Sequence, residues 1–364
     1  MTIRWRSATV NRLGSAWAGS LELYTTLTSG PEAGTEVKAL AHPDLVGTPV
    51  PGDRVLLNVS ALARGLGTGG YALVVALPDR LPEDPPPGPG HLVKARYTPL
   101  QTMVLGADDQ ESGHHGLLAD ADDLGGTPVV VADLHSALPA VVAGIRADAP
   151  DARVAYVMTD GGALPAAFSR AVAGLREAGW IAACVTTGQA FGGDLETATV
   201  HTGLLTARLV AGADVVVVAQ GPGNLGTGSR WGFSGVAAGE ALNAAAVLGG
   251  RPVAALRVSE ADARPRHRGV SHHSLTAVGR VALAPVDVPV PDVAGAFHDG
   301  VREQARSLCG RHRYVEVAAT GLDEALATSP VRLSTMGRGL EQDRASFLVA
   351  AAAGRHAASL LART

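Results

Sequence analysis

Residues 215–224 read Val-Val-Val-Val-Ala-Gln-Gly-Pro-Gly-Asn, an apolar run that ends abruptly in small and polar residues. Such a run predicts a strand that is buried on both faces of a parallel sheet. The same change from apolar to polar residues occurs five times along the chain. The five predicted strands are Val129–Ala132, Val154–Met158, Ile181–Val185, Val215–Ala219 and Pro252–Val258.

Helical patterns alternate with these strands. They cover residues 136–147, 164–178, 195–211, 233–248, 293–308 and 340–362. Strands that alternate with helices imply right-handed crossovers, so we predict a doubly wound α/β domain with a mostly parallel sheet and helices on both faces. Ligands bind such sheets at the carboxyl ends of the strands, and we therefore expect function to lie in the polar loops.

The first eighty residues have a different composition, with short β-rich runs separated by Gly, Pro and Asn. This spacing predicts a small β-barrel-like domain that precedes the α/β domain. The predicted barrel strands are Ile3–Val10, Ser20–Leu27, Glu36–Ala41, Asp53–Val59 and Tyr71–Leu77. A segment rich in Pro and Gly at 81–90 is typical of an extended linker. The predicted domains are therefore 1–80 and 91–364, on either side of this linker.

Composition excludes several classes of protein. The net charge is −4 and no long basic run occurs, which disfavours a nucleic-acid partner. Lys38 and Lys94 are the only lysines and both precede the series of strands, so those loops hold neither a P-loop lysine nor a Schiff-base lysine. Two cysteines are too few for a four-cysteine metal site.

The apolar runs are short. None reaches the roughly 20 residues that are needed to span a bilayer. We therefore expect a cytoplasmic protein without a membrane partner, and the sequence is compatible with a homo-oligomer.

The clearest local motif is a glycine-rich segment at 220–231, which contains G-x-G-x-x-G after a predicted strand and before a predicted helix. Unpaired N–H groups at a helix amino terminus bind anions, so the motif predicts contact with a phosphate or carboxylate. A dinucleotide site is less favoured because no acidic residue follows at the expected spacing, and a purely structural turn is the alternative. The predicted ligand-binding residues here are Gln220, Gly221, Gly223, Asn224, Gly226, Thr227 and Arg230.

Titratable side chains also follow the strands. Asp133 and His135 follow the first strand, Asp160 follows the second, and His272 with His273 follow the fifth. We predict these five as catalytic acid–base groups. Adjacent imidazoles point in different directions, so one alone of the histidine pair is expected to reach a shared site. Metal ligation and purely structural hydrogen bonding remain the alternatives, and the sequence assigns no cofactor.

Two other loops combine hydroxyl groups with paired glycines after a strand. Glycines admit a ligand or a close backbone approach, and the hydroxyl and amide groups can then donate hydrogen bonds. The predicted ligand-binding residues in these loops are Thr159, Gly161, Gly162, Thr187 and Gln189. Arg268, in the arginine-rich segment before the histidine pair, is expected to neutralise ligand charge, as is Arg230.

Several of these segments together resemble a bacterial family known only as domain of unknown function 3866. The segments are His91–Gln101, Val130–His135, Met158–Pro165, Gly188–Asp194, Gly221–Gly235 and Gly269–Thr276. The resemblance implies that these segments belong to one site, but it implies no activity. The residues themselves predict an enzyme that binds a small anionic molecule through Asp and His groups at the strand ends. A metabolite-binding regulatory or assembly module without catalysis is the alternative.

Overall fold

The computed structural model describes residues 2–67 and 69–361. Parts of the predicted domains, namely residues 1, 68 and 362–364, lie outside the described residues. The chain divides into two compact units. The first runs to Gly88 and includes Tyr97–Thr102, whereas the second comprises Pro89–Arg96 and continues from Met103. In the described ranges, no helix combines the length and apolar character needed to cross a bilayer.

The first unit contains a closed five-stranded barrel, which confirms the prediction of a small barrel. Its strands are β1 (Trp5–Trp17), β2 (Ser20–Leu27), β3 (Glu36–Ala41), β4 (Arg54–Asn58) and β5 (Ala72–Ala76), with a short helix α1 (Pro43–Val46) after β3. Around the barrel, neighbouring strands follow the order β1-β2-β3-β5-β4, and β3 and β5 run parallel. This is the strand order of the OB-fold.

The second unit is built on an eight-stranded, all-parallel sheet, and the predicted doubly wound α/β fold is confirmed. Its strands are β8 (Pro128–Ala132), β9 (Val154–Thr159), β10 (Ala183–Thr186), β11 (Leu195–Glu196), β12 (Val215–Gln220), β13 (Arg251–Ala255), β16 (Asp287–Asp292) and β17 (Arg313–Ala318). They lie in the order β11-β10-β9-β12-β8-β13-β16-β17. Shorter strands are β6 (Leu92–Lys94), β7 (Thr102–Val104), β14 (Val258–Ser259), β15 (Gly269–Val270), β18 (Ser334–Thr335) and β19 (Arg338–Gly339).

Helices cover both faces of this sheet. They are α2 (His115–Leu118), α3 (Leu138–Asp148), α4 (Arg170–Glu177), α5 (Val200–Leu209), α6 (Ala237–Val247), α7 (His272–Thr276), α8 (Ala296–Arg306), α9 (Leu322–Ala327) and α10 (Arg344–Ser359). Polar residues determine the position at which several of these helices begin. The Ser169 hydroxyl accepts from the N–H of Val172 and caps α4, and Thr199 forms a capping box with Thr202 at the start of α5.

The strands alternate their side chains between two cores. Val130 of β8 and Val217 of β12 belong to the core beneath α3, α4, α9 and α10, whereas Val131 and Val218 belong to the core beneath α5, α6 and α8. Because both faces are covered, the central strands are apolar throughout, which is why continuous valine runs marked them in the sequence.

The direction in which successive strands are added across the sheet reverses between β8 and β12. These strands are neighbours, but α3 leaves β8 on one face and α6 leaves β12 on the other. Helices that leave adjacent strands on opposite faces separate the two loops and open a crevice at the carboxyl ends of the strands. This topological switch point is where the side chains described below lie.

Candidate functional site

Two buried polar side chains line the narrow space at the switch point. Asp133 follows β8 and Gln220 ends β12, and they are 6% and 5% exposed. Nε2 of Gln220 donates to the main-chain oxygen of Asp133 at 3.0 Å, which holds the two strand ends together. Oδ2 of Asp133 and Oε1 of Gln220 are buried, and neither has a hydrogen-bond partner in the described part of the chain.

Both residues line a cavity of about 10 Å³, together with Thr159 and Ser234. That volume holds about one water molecule or one hydroxyl group. An unpaired buried polar atom costs roughly 1–3 kcal/mol, so two at one cavity mark a place where a polar group from outside the chain can be accepted.

Burial changes the protonation of Asp133. Desolvation raises the pKa of its carboxyl group to about 6, although the nearby Arg257 guanidinium acts in the opposite direction. A carboxyl group with a pKa near neutrality can both accept and release a proton in the cell, which is the property required of an acid–base residue.

Arg257 follows β13 and is 9% exposed. It lines a second cavity, of about 20 Å³, together with Asp133. Nη1 of Arg257 lies 3.3 Å from Nδ1 of His273, and no carboxylate among the described residues forms an ion pair with this arginine. A buried guanidinium without a paired carboxylate is costly, and it provides a bidentate donor for an incoming phosphate or carboxylate.

Three histidines cluster beside Arg257. The ring centroids of His267, His272 and His273 lie 4.4 to 5.0 Å apart. Burial, followed by the positive charge of Arg257, lowers the pKa of His267 to about 4 and that of His273 to about 3. Burial, followed by Arg266, also lowers the pKa of His272. The imidazoles are therefore neutral near pH 7.

The expectation that only one of the adjacent histidines reaches a shared site is wrong. His272 and His273 begin α7, and both rings approach His267 in the turn that precedes the helix. Helical side chains point back toward the amino terminus of their helix, so two consecutive residues can both reach a group that lies there.

Hydrogen bonds hold the histidine cluster in place. The buried Ser271 hydroxyl accepts from the N–H of His273 at 3.2 Å and lies 2.8 Å from Nδ1 of His267. Asp262, earlier in the same loop, forms a bidentate pair with Arg264 at 2.9 and 2.8 Å, and these bonds hold the pKa of Asp262 well below its usual range.

Asp343, just before α10, fixes the start of this loop. Its carboxylate accepts from Oγ of Ser259 at 2.6 Å and from the N–H of Glu260 at 3.0 Å. Arg338 donates to the same carboxylate at 2.9 Å.

His135 lies in a fully partnered network. Nδ1 of His135 is 3.0 Å from the Tyr156 hydroxyl, and Nε2 is 2.7 Å from the Ser169 hydroxyl. Tyr156 in turn donates to the carbonyl oxygen of Gln220 at 3.0 Å. Burial lowers the pKa of His135 to about 4, so the ring is neutral near pH 7. With both nitrogens engaged, this side chain positions the end of β12.

The glycine-rich segment does not form an anion cradle at a helix amino terminus. Residues 225–233 fold into a projecting hairpin, in which Thr227 donates to the Gly232 carbonyl at 2.7 Å and Gly226 bridges to Phe233. The helix α6 begins only at Ala237. Gly226, Thr227 and Arg230 are exposed on this hairpin, and Gly223, which precedes it, is also exposed.

The base of the hairpin nevertheless reaches the switch point. Oδ1 of Asn224 accepts from Nε2 of Gln220 at 3.2 Å and from the Ser234 hydroxyl at 3.1 Å. Phe233 stacks on His273 with ring centroids 3.8 Å apart. A Cβ atom at Gly235 would lie 3.0 Å from Cβ of Asp133, so this position keeps the loop close to the carboxyl group.

Asp160, in the first of the two hydroxyl-rich loops, is hydrogen-bonded to the second. The exposed Asp160 accepts from the N–H of Gln189 through Oδ2 at 2.8 Å. Gly188 allows this approach, because a Cβ there would lie 2.3 Å from the Asp160 carboxylate. Gln189 accepts from the N–H of Arg96 at 2.9 Å, and Thr187 is buried.

Gly161 and Gly162 pass directly against the end of β12. A Cβ atom at Gly161 would lie 2.4 Å from Oε1 of Gln220, and one at Gly162 would lie 2.0 Å from the carbonyl oxygen of Gly221. The loop after β9 therefore packs tightly beside the cavity, and its glycines serve a close backbone approach.

The family described as "Protein of unknown function (DUF3866)" matches residues 38–354. The chain belongs to this family. The matched region includes the carboxyl ends of β8, β9, β12 and β13. No curated protein and no solved structure matches the chain.

The structure brings some of the predicted residues together and leaves others apart. Asp133, Gln220, Asn224, His272 and His273 lie in one connected set of contacts at the switch point. The exposed Arg230 and Arg268 have no contact with this set among those described.

Sequence reasoning missed Arg257 and His267. A signal was present for each: Arg257 interrupts an apolar run that we read as a strand, and His267 lies within the same arginine-rich segment as the histidine pair.

Proposed function

We propose that this chain is an enzyme that acts on a small molecule bearing a phosphate or carboxylate group, bound at the carboxyl ends of β8, β12 and β13. One observation carries the proposal. Asp133 and Gln220, each with an unpartnered buried oxygen, line one cavity, and the buried Arg257 lines the neighbouring cavity with Asp133 and forms no ion pair among the described residues. A site with unmet hydrogen bonds and a buried cation at a switch point is typical of ligand binding in α/β proteins.

Each of the three side chains has a distinct role in the proposed site. Arg257 pairs with the anionic group of the ligand. Gln220 accepts a hydrogen bond from a hydroxyl or amino group through Oε1, and Asp133 takes up or gives back the proton of the group that occupies the cavity. Arg257 thereby replaces Arg230 and Arg268 as the residue that neutralises ligand charge, because it is buried beside Asp133 and they are exposed.

We also infer that the chain works in the cytoplasm. Its two cysteines, Cys184 and Cys309, are both unpaired. Free thiols are usual in a reducing compartment.

Thermal unfolding in the presence of a panel of nucleotides, sugar phosphates and carboxylic acids tests the proposal. A ligand at about 100 times its dissociation constant is expected to stabilise the wild-type chain by about 2.7 kcal/mol. Arg257→Gln is expected to bind the same ligand about 30-fold more weakly or worse, since it loses a charge-assisted, bidentate contact. Arg230→Gln, on the exposed hairpin, is the matched control and should bind normally.

Two results would count against an enzyme at this site. If every ligand that stabilises the wild type stabilises Arg257→Gln equally, the anion lies elsewhere. Saturable binding with no conversion of any ligand would favour the metabolite-binding module without catalysis.

A further inference from the structure

A second kind of chemistry is available at the histidine cluster, which the proposed function does not use. We propose that His267, His272 and His273 bind a divalent transition-metal ion, for which Zn²⁺ is the best match among common metals because imidazole nitrogen is one of its preferred ligands. The ligands of this site are the three imidazoles, so its test does not require that the anionic ligand be identified.

The geometry of the cluster is the main support. One ring nitrogen of each histidine lies within 4.8 Å of the corresponding nitrogens of the other two. Nε2 of His272 is buried and has no hydrogen-bond partner among the described residues. Three imidazoles around an unpaired nitrogen match the arrangement of catalytic zinc sites, which use three protein ligands and leave a fourth position open.

The surroundings hold the rings in the required orientation. The Ser271 hydroxyl, 2.8 Å from Nδ1 of His267, occupies that nitrogen and leaves Nε2 for an ion. Phe233 stacks on His273 at an interplanar angle of 3° and fixes its ring. Hydrogen bonds to the second ring nitrogen are the usual way in which proteins orient metal-binding histidines.

Arg257 opposes binding of the ion. Its Nη1 contacts Nδ1 of His273 at 3.3 Å, whereas binding through Nε2 of His273 requires the proton to be on Nδ1. Arg257 must therefore withdraw when the ion binds. An anion at the open coordination position would attract the displaced guanidinium. In Arg257→Gln the new side chain can accept from Nδ1–H, so this variant should bind the metal more tightly.

Titration of the full chain with Zn²⁺ or Co²⁺ alone, after chelator treatment, tests the site. One ion per chain is expected, with visible absorption from the bound Co²⁺. His272→Ala should weaken binding at least about 100-fold, and Arg257→Gln should strengthen it about tenfold. His91→Ala is the control, because His91, Asp109 and Glu111 form a second, partly exposed group that could also hold an ion. Circular dichroism verifies that each variant is folded, and His272→Gln replaces the alanine variant if that one does not fold.

The results separate this site from the proposed function. Loss of the ion in the His272 variant but not in His91→Ala supports the histidine site whether or not any anionic ligand is found. Failure of the wild type to bind either metal, or equal binding by wild type and His272 variant, would overturn it. An ion lost only in His91→Ala would also overturn it.

Discussion

Asp133→Asn is expected to be more stable than the wild type at neutral pH by about 3 kcal/mol, while it loses the ability to transfer a proton. Burial raises the pKa of this carboxyl group from 3.8 to about 6. At neutral pH the folded chain therefore contains an ionised carboxylate, and burying this form costs more free energy than burying the protonated form. Asparagine is never ionised and avoids that cost. A functional carboxylate that reduces stability is the usual compromise of active sites.

The raised pKa of Asp133 determines how the stability difference between the two chains changes with pH. Because the folded chain holds the Asp133 proton more tightly than the unfolded chain, its contribution to stability is favourable at low pH and is lost as the pH rises through about 6. The advantage of Asp133→Asn should therefore be largest at about pH 7.5 and disappear below about pH 4.

Guanidinium unfolding of both chains across this pH range measures the difference. Asp160→Asn, at the neighbouring strand end, is the control, because this carboxylate is exposed to water and should give no such gain. A variant Asp133→Asn that is less stable than the wild type at every pH would show that the carboxylate has a partner and is structural.

The second large effect is expected where α3 crosses α10. A Cβ atom at Gly144 would lie 1.9 Å from the carbonyl oxygen of Ala351, and one at Gly354 would lie 1.9 Å from that of Val141. The helix backbones touch, so alanine can be accommodated only if the helices move apart. Gly144→Ala and Gly354→Ala should each cost about 3 kcal/mol or more, at the upper end of overpacking effects.

Gly300→Ala in α8 is the matched control, because nothing lies within 4 Å of a Cβ atom there. Alanine is the better helix former, so this variant should gain about 0.5–1 kcal/mol. Denaturant unfolding of the three variants measures both effects. Losses below about 1 kcal/mol at both Gly144 and Gly354 would contradict the close contact between α3 and α10.

The central strands could be predicted because burial on both faces leaves a direct mark on sequence. Each of the five predicted apolar runs overlaps a strand of the parallel sheet. β16 was missed because Pro289 and Pro291 argue against a central strand. Prolines two residues apart lack N–H groups on the same edge of a strand, and β16 pairs with β13 only at Val253 and Asp287. Strand pairing that avoids the missing proline N–H groups depends on the tertiary structure, so a local sequence pattern does not predict it.

One predicted helix was in fact two elements. The pattern across 195–211 reads as continuous, but Leu195–Glu196 is the edge strand β11 and the helix α5 starts at Val200. The capping box of Thr199 with Thr202 sets that start. These two threonines could be read from the sequence, but the helical spacing of the apolar residues continued across them.

The sequence predicted the edge of the sheet at which the candidate site lies more closely than the contacts within it. The polar residues that follow the strands, Asp133 among them, pointed to the carboxyl ends of the strands. The G-x-G-x-x-G pattern, however, predicted an anion cradle, whereas the hydrogen bond from Thr227 to Gly232 closes the segment into a hairpin. Glycine spacing does not specify which backbone groups will pair. The approach of His267 to the histidine pair also depends on a turn whose geometry no periodicity encodes.

Hydrogen–deuterium exchange of the full chain, with and without the first stabilising ligand, tests most directly whether a ligand binds at the switch point. Slower exchange is expected in three segments that are distant in sequence, 133–136, 220–234 and 256–274. Protection confined to the barrel strands β1–β5, with no change in these three segments, would contradict a ligand site at the ends of β8, β12 and β13.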